Sequence, residues 1–560
     1  MILVVAEKPS VAQTIGKVLG ATSRKDGYLE GEAYLVSWCV GHLVGLADAS
    51  VYDQRYAKWR YDDLPIIPEE WLYEVPKDKM QQFKVLSALM KDKCVTELVC
   101  ATDAGREGEL IFRLVYQKAG CRKPFKRLWI SSLEDSAIRD GFQHLRDSSE
   151  FDRLYEAALS RSKADWIVGI NGTRLFSTLY HKKLVVGRVQ TPTLAMLVER
   201  DGKITTFRKE KYFNVHIQKD SLKASLEKLK TEEEAKRIAE ACDKKQASVS
   251  SLKKERKTVN PPKLYDLTTL QREANRYFSF TAQQTLDLVQ SLYEKKLLPY
   301  PRTDSQFITD DMEGTVRQVI SILCRKLPLF DGVVYTPDID RISNNAKVTD
   351  HHAILPTVQV EKLDIAELPE SEQKILCLVA TRLICATGEK HIYDETTMTV
   401  SCEGSLFTAK GKTVVQDGWK GIELRFKATL KSKEKEELEN VLPEVTEGDI
   451  LQNVVSSVSE HFTSPPKAFT EDTLLSAMES AGNEAFDDET EKKGLGTPAT
   501  RAGIIEKLVK GGFAERKGKS LIPTKDGLNL VCVLPEQITS PAMTAEWENT
   551  LMQIERGNAD

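Results

Sequence analysis

Short apolar runs alternate with amphipathic stretches over the first quarter of the chain. Residues 1–5 are apolar, Pro9-Ser10 follows, and Val11, Ile15, Val18 and Leu19 then share one helical face before Gly20. This predicts a strand, a turn, an N-capped helix and a glycine stop. The pattern returns at Leu98-Val99-Cys100-Ala101, followed by Thr102-Asp103-Ala104-Gly105-Arg106-Glu107-Gly108 and helical spacing through Leu110, Ile111, Leu114 and Val115. Residues 126–130 read as a third strand. Such alternation predicts an α/β unit with a mostly parallel sheet and helices on its faces.

Residues 151–200 are spaced for helix, with Leu154, Ala158, Ile167, Ile170 and Leu175 on one face. Residues 207–260 mix strand-like pieces, such as Tyr212-Phe213-Asn214-Val215-His216-Ile217, with a charged helix at 231–245. Lys253-Lys254-Glu255-Arg256-Lys257, just before Asn260-Pro261-Pro262, has linker composition. Residues 264–325 and 365–390 read as helical, 391–460 as strand-like alternation, and the chain beyond Pro465-Pro466 as helical. Because two strand-like blocks flank a helical one, they are expected to pair into one domain with the helices inserted. The expected organisation is an α/β domain at 1–150, a helical domain from 151–206 and 465–560, a β-rich hinge or arch from 207–260 and 393–464, and a second helical domain at 261–392.

The length of 560 residues suits about three or four domains. With 41% hydrophobic and 29% charged residues the composition is that of a globular chain with several cores. No apolar run approaches the ~18 residues of a membrane helix, and the start of the chain lacks the basic n-region of a signal peptide, so a cytoplasmic protein is expected. The net charge of −4 sets 79 basic against 83 acidic residues, which excludes a uniformly basic coat but leaves room for a basic channel. Ten cysteines without a C-x-x-C pair argue against zinc ribbons and a disulfide framework.

Four constellations carry candidate chemistry. Glu7 follows one strand, and Asp103 and Glu107 follow another; carboxylates meeting at the C-terminal edge of a parallel sheet suit Mg²⁺ beside a phosphate. The alternative is that Asp103 caps a helix and Glu107 is an exposed first-turn acid. Lys8 adds a cation, and no G-x-x-x-x-G-K-[ST] is present, so a nucleotide P-loop is not expected. In Leu298-Pro299-Tyr300-Pro301-Arg302-Thr303-Asp304-Ser305 the prolines hold Tyr300 extended. A tyrosine so displayed suits a nucleophile for a phosphodiester, with Arg302 neutralising the charge that develops; the alternative is a packed tyrosine followed by a helix cap. Asp350-His351-His352-Ala353-Ile354-Leu355-Pro356-Thr357 offers a histidine to a phosphate, a metal or merely the surface. Residues 187–194 and Gly494-Leu495-Gly496-Thr497-Pro498-Ala499-Thr500-Arg501 are glycine turns feeding helices, which suit phosphate binding or plain N-capping.

Together these stretches resemble the type IA DNA topoisomerases, and within them the bacterial topoisomerase III group. The resemblance runs through Glu7-Lys8-Pro9-Ser10, Ala101-Thr102-Asp103 with Arg106-Glu107-Gly108, Ser160-Arg161-Ser162-Lys163-Ala164-Asp165-Trp166, residues 187–194, 300–305, 351–357, 470–479 and 494–501, in the family's order and over nearly the whole chain. It implies a TOPRIM α/β domain plus mixed α and β clamp domains in a toroidal core. It places Tyr300 as nucleophile, Arg302 and His351 at the scissile phosphate, and Glu7 and Lys8 at the 3′-oxygen. Mg²⁺ falls to Glu7, Asp103 and Glu107, and DNA contacts fall to Arg161, Asp165, Gly187, Arg188, Val189, Gln190, Thr191, Pro192, Arg302 and Arg501. Gly105 stands where many members carry a further aspartate, which implies weak metal affinity; Glu109, facing away from Glu107, is a poor substitute. The chain stops at Asp560 soon after Met543-Thr544-Ala545-Glu546-Trp547-Glu548, which implies a compact or shortened member.

The function expected is ATP-independent strand passage on single-stranded or underwound DNA, giving relaxation and decatenation. No nucleotide cofactor and no membrane are expected, and a monomer, with a helicase as an occasional helper, is implied. Competing readings are a TOPRIM nuclease or primase, which needs the carboxylates but not Tyr300, and a non-catalytic single-stranded DNA clamp.

Overall fold

The computed structural model describes residues 1–560 except 131–132, 134, 349–350, 431–441, 483–493 and 560. Asp350 of the histidine stretch therefore lies outside the described residues. The N-terminal strands are β1 (Ile2–Ala6), β2 (Ser23–Lys25), β3 (Tyr28–Glu30), β4 (Tyr34–Trp38), β5 (Gly45–Leu46), β6 (Tyr73–Glu74), β7 (Glu97–Ala101), β8 (Phe125–Arg127) and β9 (Arg146–Asp147). They form a seven-stranded sheet of order β2-β3-β4-β1-β7-β8-β9, with β5 and β6 pairing apart. β1 runs parallel to β4 and β7, and β7 parallel to β8. The outer pairs β2–β3, β3–β4 and β8–β9 are antiparallel.

The sheet is thus parallel only at its centre. β2, β3 and β4 follow one another through tight turns, such as that at Gly27 with φ 79°, and a hairpin cannot give a parallel pair. The third strand spans Phe125–Arg127, ending short of the stretch expected at 126–130, with Leu128 N–H still on Cys100 O of β7. Both sheet faces are apolar, one packing Leu3, Val5, Leu98 and Phe112 and the other Val4, Ala6, Ile15 and Val99. That double burial is why the strands read as continuous apolar runs.

The helical stretch expected at 151–200 is two helices, Asp152–Leu179 and Gln190–Thr205. Between them lies a loop fixed by Ser177, whose Oγ accepts from Leu184 N at 2.8 Å. A second seven-stranded sheet follows, from β10 (Lys211–Lys219), β11 (Leu222–Leu229), β12 (Ala247–Val259), β13 (His391–Cys402), β14 (Ser405–Gln416), β15 (Ile450–Leu451) and β16 (Val455–Phe462), in the order β15-β12-β13-β14-β11-β10-β16. Strands from both strand-like blocks therefore share one sheet.

The charged run Lys253–Lys257, expected as a linker, lies inside β12 and pairs along β13 with Lys253↔Thr397 through Lys257↔Tyr393. Its charges are answered locally: Arg256 Nε donates to Asp394 Oδ1 at 2.9 Å, and Lys257 lies 2.5 Å from Glu255. The strand carries charge on both faces because both faces are wet there, so its sequence has no apolar alternation.

Tyr300 belongs to a helical body whose core joins Leu267, Leu270, Val289, Leu292, Val319, Leu323, Ile375 and Leu383. Its helices are Leu267–Phe278, Ala282–Glu294, Glu313–Lys326 and Glu370–Ala386, so residues 295–312 interrupt the helical run expected at 264–325. The helix Trp419–Thr429 lies within the region expected to be strand-like and packs Ile422 and Phe426 into this same core. After Pro466 the chain is helical around a small three-stranded sheet, β17 (Phe469–Thr470), β18 (Ala514–Lys517) and β19 (Ser520–Pro523), ordered β17-β19-β18. The expectation of helix alone missed it because its strands are too short to show a period of two.

Candidate active site between the first sheet and the tyrosine loop

Parallel register brings the first acids together. Ala6 on β1 lies opposite Ala101 on β7, so Glu7 and the Thr102-Asp103 turn leave the sheet side by side at its C-terminal edge. Thr102 Oγ1 donates to Gly108 O at 2.8 Å, folding the start of the helix Arg106–Lys118 onto the turn. Gly108 is required by that approach, since a Cβ there would stand 2.0 Å from Asp103 O. Glu7 is buried, and its carboxyl is pushed up to about 8, chiefly by burial and then by the neighbouring Asp103 charge; Lys8 and Arg302 oppose the shift.

The tyrosine loop closes over this pair. Tyr300 is 8% exposed, and Arg302 Nη1 donates to its hydroxyl at 3.1 Å. The ring meets Tyr293 edge-on at 5.6 Å and His351 at 4.6 Å between centroids. Burial, then the Asp103 charge, hold the phenol well above its ordinary value, with Arg302 pulling the other way. Thr303 Oγ1 donates to His351 O at 3.0 Å, tying the loop to the histidine segment, and the bridge Tyr265↔Ile354 anchors that segment in turn. Asp103, Tyr293, Tyr300 and His351 line one small cavity. Lys8 Nζ reaches Gln290 Oε1 at 3.4 Å, on the helix that precedes the loop.

His351 is buried, and its Nδ1 has no hydrogen-bond partner. Burial pushes its imidazole down to about 4 from an ordinary 6.5, against the pull of Asp103, so the ring is neutral at pH 7. The folded value lies below the unfolded one, so this histidine contributes stability present above pH 6.5 and lost as pH falls towards 4. Glu7, raised from 4.5 to about 8, has the opposite sign, its contribution declining as pH rises across that interval. His351→Gln is therefore expected to flatten the loss of melting temperature between pH 6.5 and 4, and an unchanged acid limb would refute this account of the ring.

The expected metal acids do not all converge. Glu107 is exposed and its Oε1 meets His42 Nε2, so it stands apart from Glu7 and Asp103. Loss of water to the crowded surroundings opposes it, but the His42 contact, with the Arg161 and Arg302 charges, holds the Glu107 carboxyl below its ordinary value. Among the described residues no three His, Cys, Asp or Glu side chains form a metal-sized cluster. The pair that does converge fits a cation: Asp103 Oδ2 is buried without a hydrogen-bond partner, and two adjacent carboxyls, Glu7 buried and Asp103 half-buried, favour a positive charge between them. Glu109 is unavailable, being fully buried and ion-paired to Arg113 at 2.7 Å and Arg127 at 3.0 Å.

The expected DNA strip is largely interior. Arg188 is buried, with Nε on Asp165 Oδ1 at 2.7 Å and Nη1 on Glu548 Oε1 at 3.1 Å. Arg161 joins the same cluster, 3.6 Å from Glu548. Thr191 and Pro192 are buried at the start of the helix Gln190–Thr205, Thr191 Oγ1 accepting from Gly187 N at 3.1 Å, while Val189 and Gln190 are half-buried. Arg501 is buried and donates to Leu495 O, Gly496 O and Thr268 Oγ1. Sequence reasoning missed His42, Tyr293 and Glu548: a lone histidine and a tyrosine at helical spacing look like ordinary packing, and Glu548 acts through residues remote in the chain.

Comparisons with known proteins match both regions of the chain. A family model described as DNA topoisomerase matches residues 149–560, and one described as Toprim domain matches residues 2–133. The DNA topoisomerase 3 of Bacillus licheniformis is 41% identical over 583 residues, covering 99% of this chain and 78% of that protein. That of Bacillus subtilis is 40% identical with the same coverage. The full-length topoisomerase I structure from Thermotoga maritima shares the fold, with a TM-score of 0.74 at 23% identity, over 100% of this chain and 87% of that one. With family models over both regions and relatives at this identity along nearly its full length, the chain belongs to the type IA DNA topoisomerase family.

Proposed function

We propose that this DNA topoisomerase cuts one strand through Tyr300, passes another through the break and reseals it, relaxing negatively supercoiled DNA and decatenating linked molecules. The observation that carries this reading is the Tyr300 hydroxyl, held by Arg302 at 3.1 Å beside the buried His351 and the Glu7–Asp103 pair. Phenolate Oη attacks phosphorus, the P–O3′ bond breaks, and the 3′-oxygen leaves with a proton; rejoining reverses each step. Arg302 stabilises the phenolate and then the charge on the phosphoryl oxygens. Asp103, whose charge weighs on the phenol, is the acceptor for the tyrosine proton, and Glu7, protonated at neutral pH, gives a proton to the 3′-oxygen with Lys8 beside it. Neutral His351 donates to a phosphate oxygen.

The Toprim match covers Glu7, Asp103 and Glu107, and these would hold Mg²⁺, Glu107 after leaving His42. The ion would supply neutralisation of clustered negative charge during religation. The phosphotyrosyl bond conserves the energy of the broken phosphodiester, so no ATP is needed. Single-stranded or underwound DNA is the substrate, touched by Arg161, Gln190 and Val189, while Gly187, Arg188, Thr191, Pro192 and Arg501 shape the surface from within and the exposed Asp165 holds Arg188. The working partition is 1–150, 151–206 with 465–560, 207–260 with 393–464, and 261–392 as a clamp around duplex DNA. The enzyme acts as a monomer, with or without a helicase, on the DNA of a bacterial cytoplasm; among the described residues no helix is long and apolar enough to cross a membrane.

Incubation of end-labelled single-stranded DNA with the protein and Mg²⁺, followed by denaturing electrophoresis, tests this reading. A protein–DNA adduct on the 5′-phosphate is expected. Cleavage that leaves free 5′-phosphates would mean a Toprim nuclease instead, and binding without cleavage would mean a clamp.

A further inference from the structure

Arg127 has no exposed surface. Its guanidinium grips backbone where β7 ends. Nη1 donates to Cys100 O at 3.1 Å, Thr102 O at 2.7 Å and Leu128 O at 3.1 Å, and Nη2 to Asp103 O at 2.6 Å. The carbonyls of Thr102 and Asp103 lie just past the strand, where the β ladder no longer serves them, and buried carbonyls demand partners. A planar fork with several donors fits such successive acceptors, which a lysine ammonium cannot span with the same geometry. The buried charge is answered by Glu109 Oε2, 3.0 Å from Nε, and the other Glu109 oxygen accepts from Arg113 Nε at 2.7 Å. Gly108 also packs against the Asp103 carbonyl, leaving no room even for a Cβ. The peptide carrying Asp103 is clamped between these contacts, while its own Oδ2 is buried and unpartnered.

We propose that Arg127 is a positioning residue that aims the Asp103 carboxylate, and thereby sets the affinity of the Glu7–Asp103 pair for a divalent cation, with Glu109 as its counter-charge. The inference rests on the reading of Glu7 and Asp103 as cation ligands. A partner that orients a liganding group typically changes metal affinity by about 10–100-fold when removed.

The test uses the full chain and Mn²⁺ as probe, with bound and free ion separated by electron paramagnetic resonance. The paired change Arg127→Met with Glu109→Gln removes both charges together and leaves no unpaired buried ion. It is expected to bind Mn²⁺ about 10–100-fold more weakly, with single-stranded DNA binding retained. Arg127→Lys is expected to fall between it and the parent. Arg113→Met cuts the same Glu109 network without touching Thr102 or Asp103, so it is expected to lower the melting temperature and leave Mn²⁺ affinity at the parent level. Parental affinity in the folded double variant, or an equal loss in Arg113→Met, would overturn the role of Arg127. If the double variant does not fold, Arg127→Lys against Arg113→Met decides by the same comparison. A parent protein that binds Mn²⁺ no better than Asp103→Asn would instead bring down the cation reading, and the inference with it.

Discussion

Protein carrying Tyr300→Phe is expected to form no covalent adduct with single-stranded DNA and to relax no supercoils, while still binding the strand. The change deletes one oxygen. The ring keeps its edge-on contact with Tyr293 and its packing on His351, so the cavity wall survives. Stability should move by only about 1 kcal/mol, the usual net worth of one hydrogen bond, because Arg302 loses the acceptor for Nη1. Catalysis loses the atom that forms the intermediate, and removal of a covalent nucleophile costs on the order of 10⁴–10⁶ in rate. Gel-shift binding near the parent level with no adduct on a denaturing gel is the expected pair of results. Residual relaxation by purified Tyr300→Phe protein would move the nucleophile elsewhere; Tyr293, the neighbouring buried phenol beside Asp103 and Glu7, would be next to test.

Tyr300 stood out before any fold, because two prolines exclude helix around it and an arginine follows at a fixed offset, but its proposed role as nucleophile came only with the family resemblance. The convergence of Glu7 and Asp103 was legible for a similar reason: each directly follows an apolar strand, and parallel register then makes them neighbours. What the sequence could not show was which charges are consumed by the protein itself. Arg188 and Arg501 carry the same side chain as Arg302 and sit in equally suggestive glycine turns. One is neutralised by Asp165 and Glu548, the latter far along the chain, and the other is wrapped around carbonyls of its own turn. Burial of that kind depends on tertiary neighbours, which no local spacing encodes. The same limit explains β12 in part: Arg256 is matched across the ladder by Asp394, while Lys257 is matched along the strand by Glu255. Glu107 shows the reverse case: its position on the helix start was foreseen, but its rotamer is set by His42, a residue with no motif around it.

Arg302 separates these two uses of arginine experimentally. Its guanidinium donates to the Tyr300 hydroxyl and lies 5.9 Å from the ring centre, so it is oriented by the tyrosine proposed to react. Arg302→Ala is expected to slow adduct formation by about 10²–10³, the cost of removing one preorganised donor from a site where charge develops. Binding of the uncut strand should change far less, since the donor matters most when the phenolate and the pentavalent phosphoryl group carry their extra charge. Arg302→Lys should recover part of the rate, because the charge returns without the fork that reaches two oxygens. Arg501→Ala, in contrast, is expected to fail first in the melting curve, because three acceptors in and beside its turn are left unpaired. Single-turnover cleavage and thermal denaturation on both variants read the difference directly. Parental cleavage rates in Arg302→Ala would return that residue to the same structural role as Arg501, and would leave the charge on the scissile phosphate to His351 and Lys8 alone.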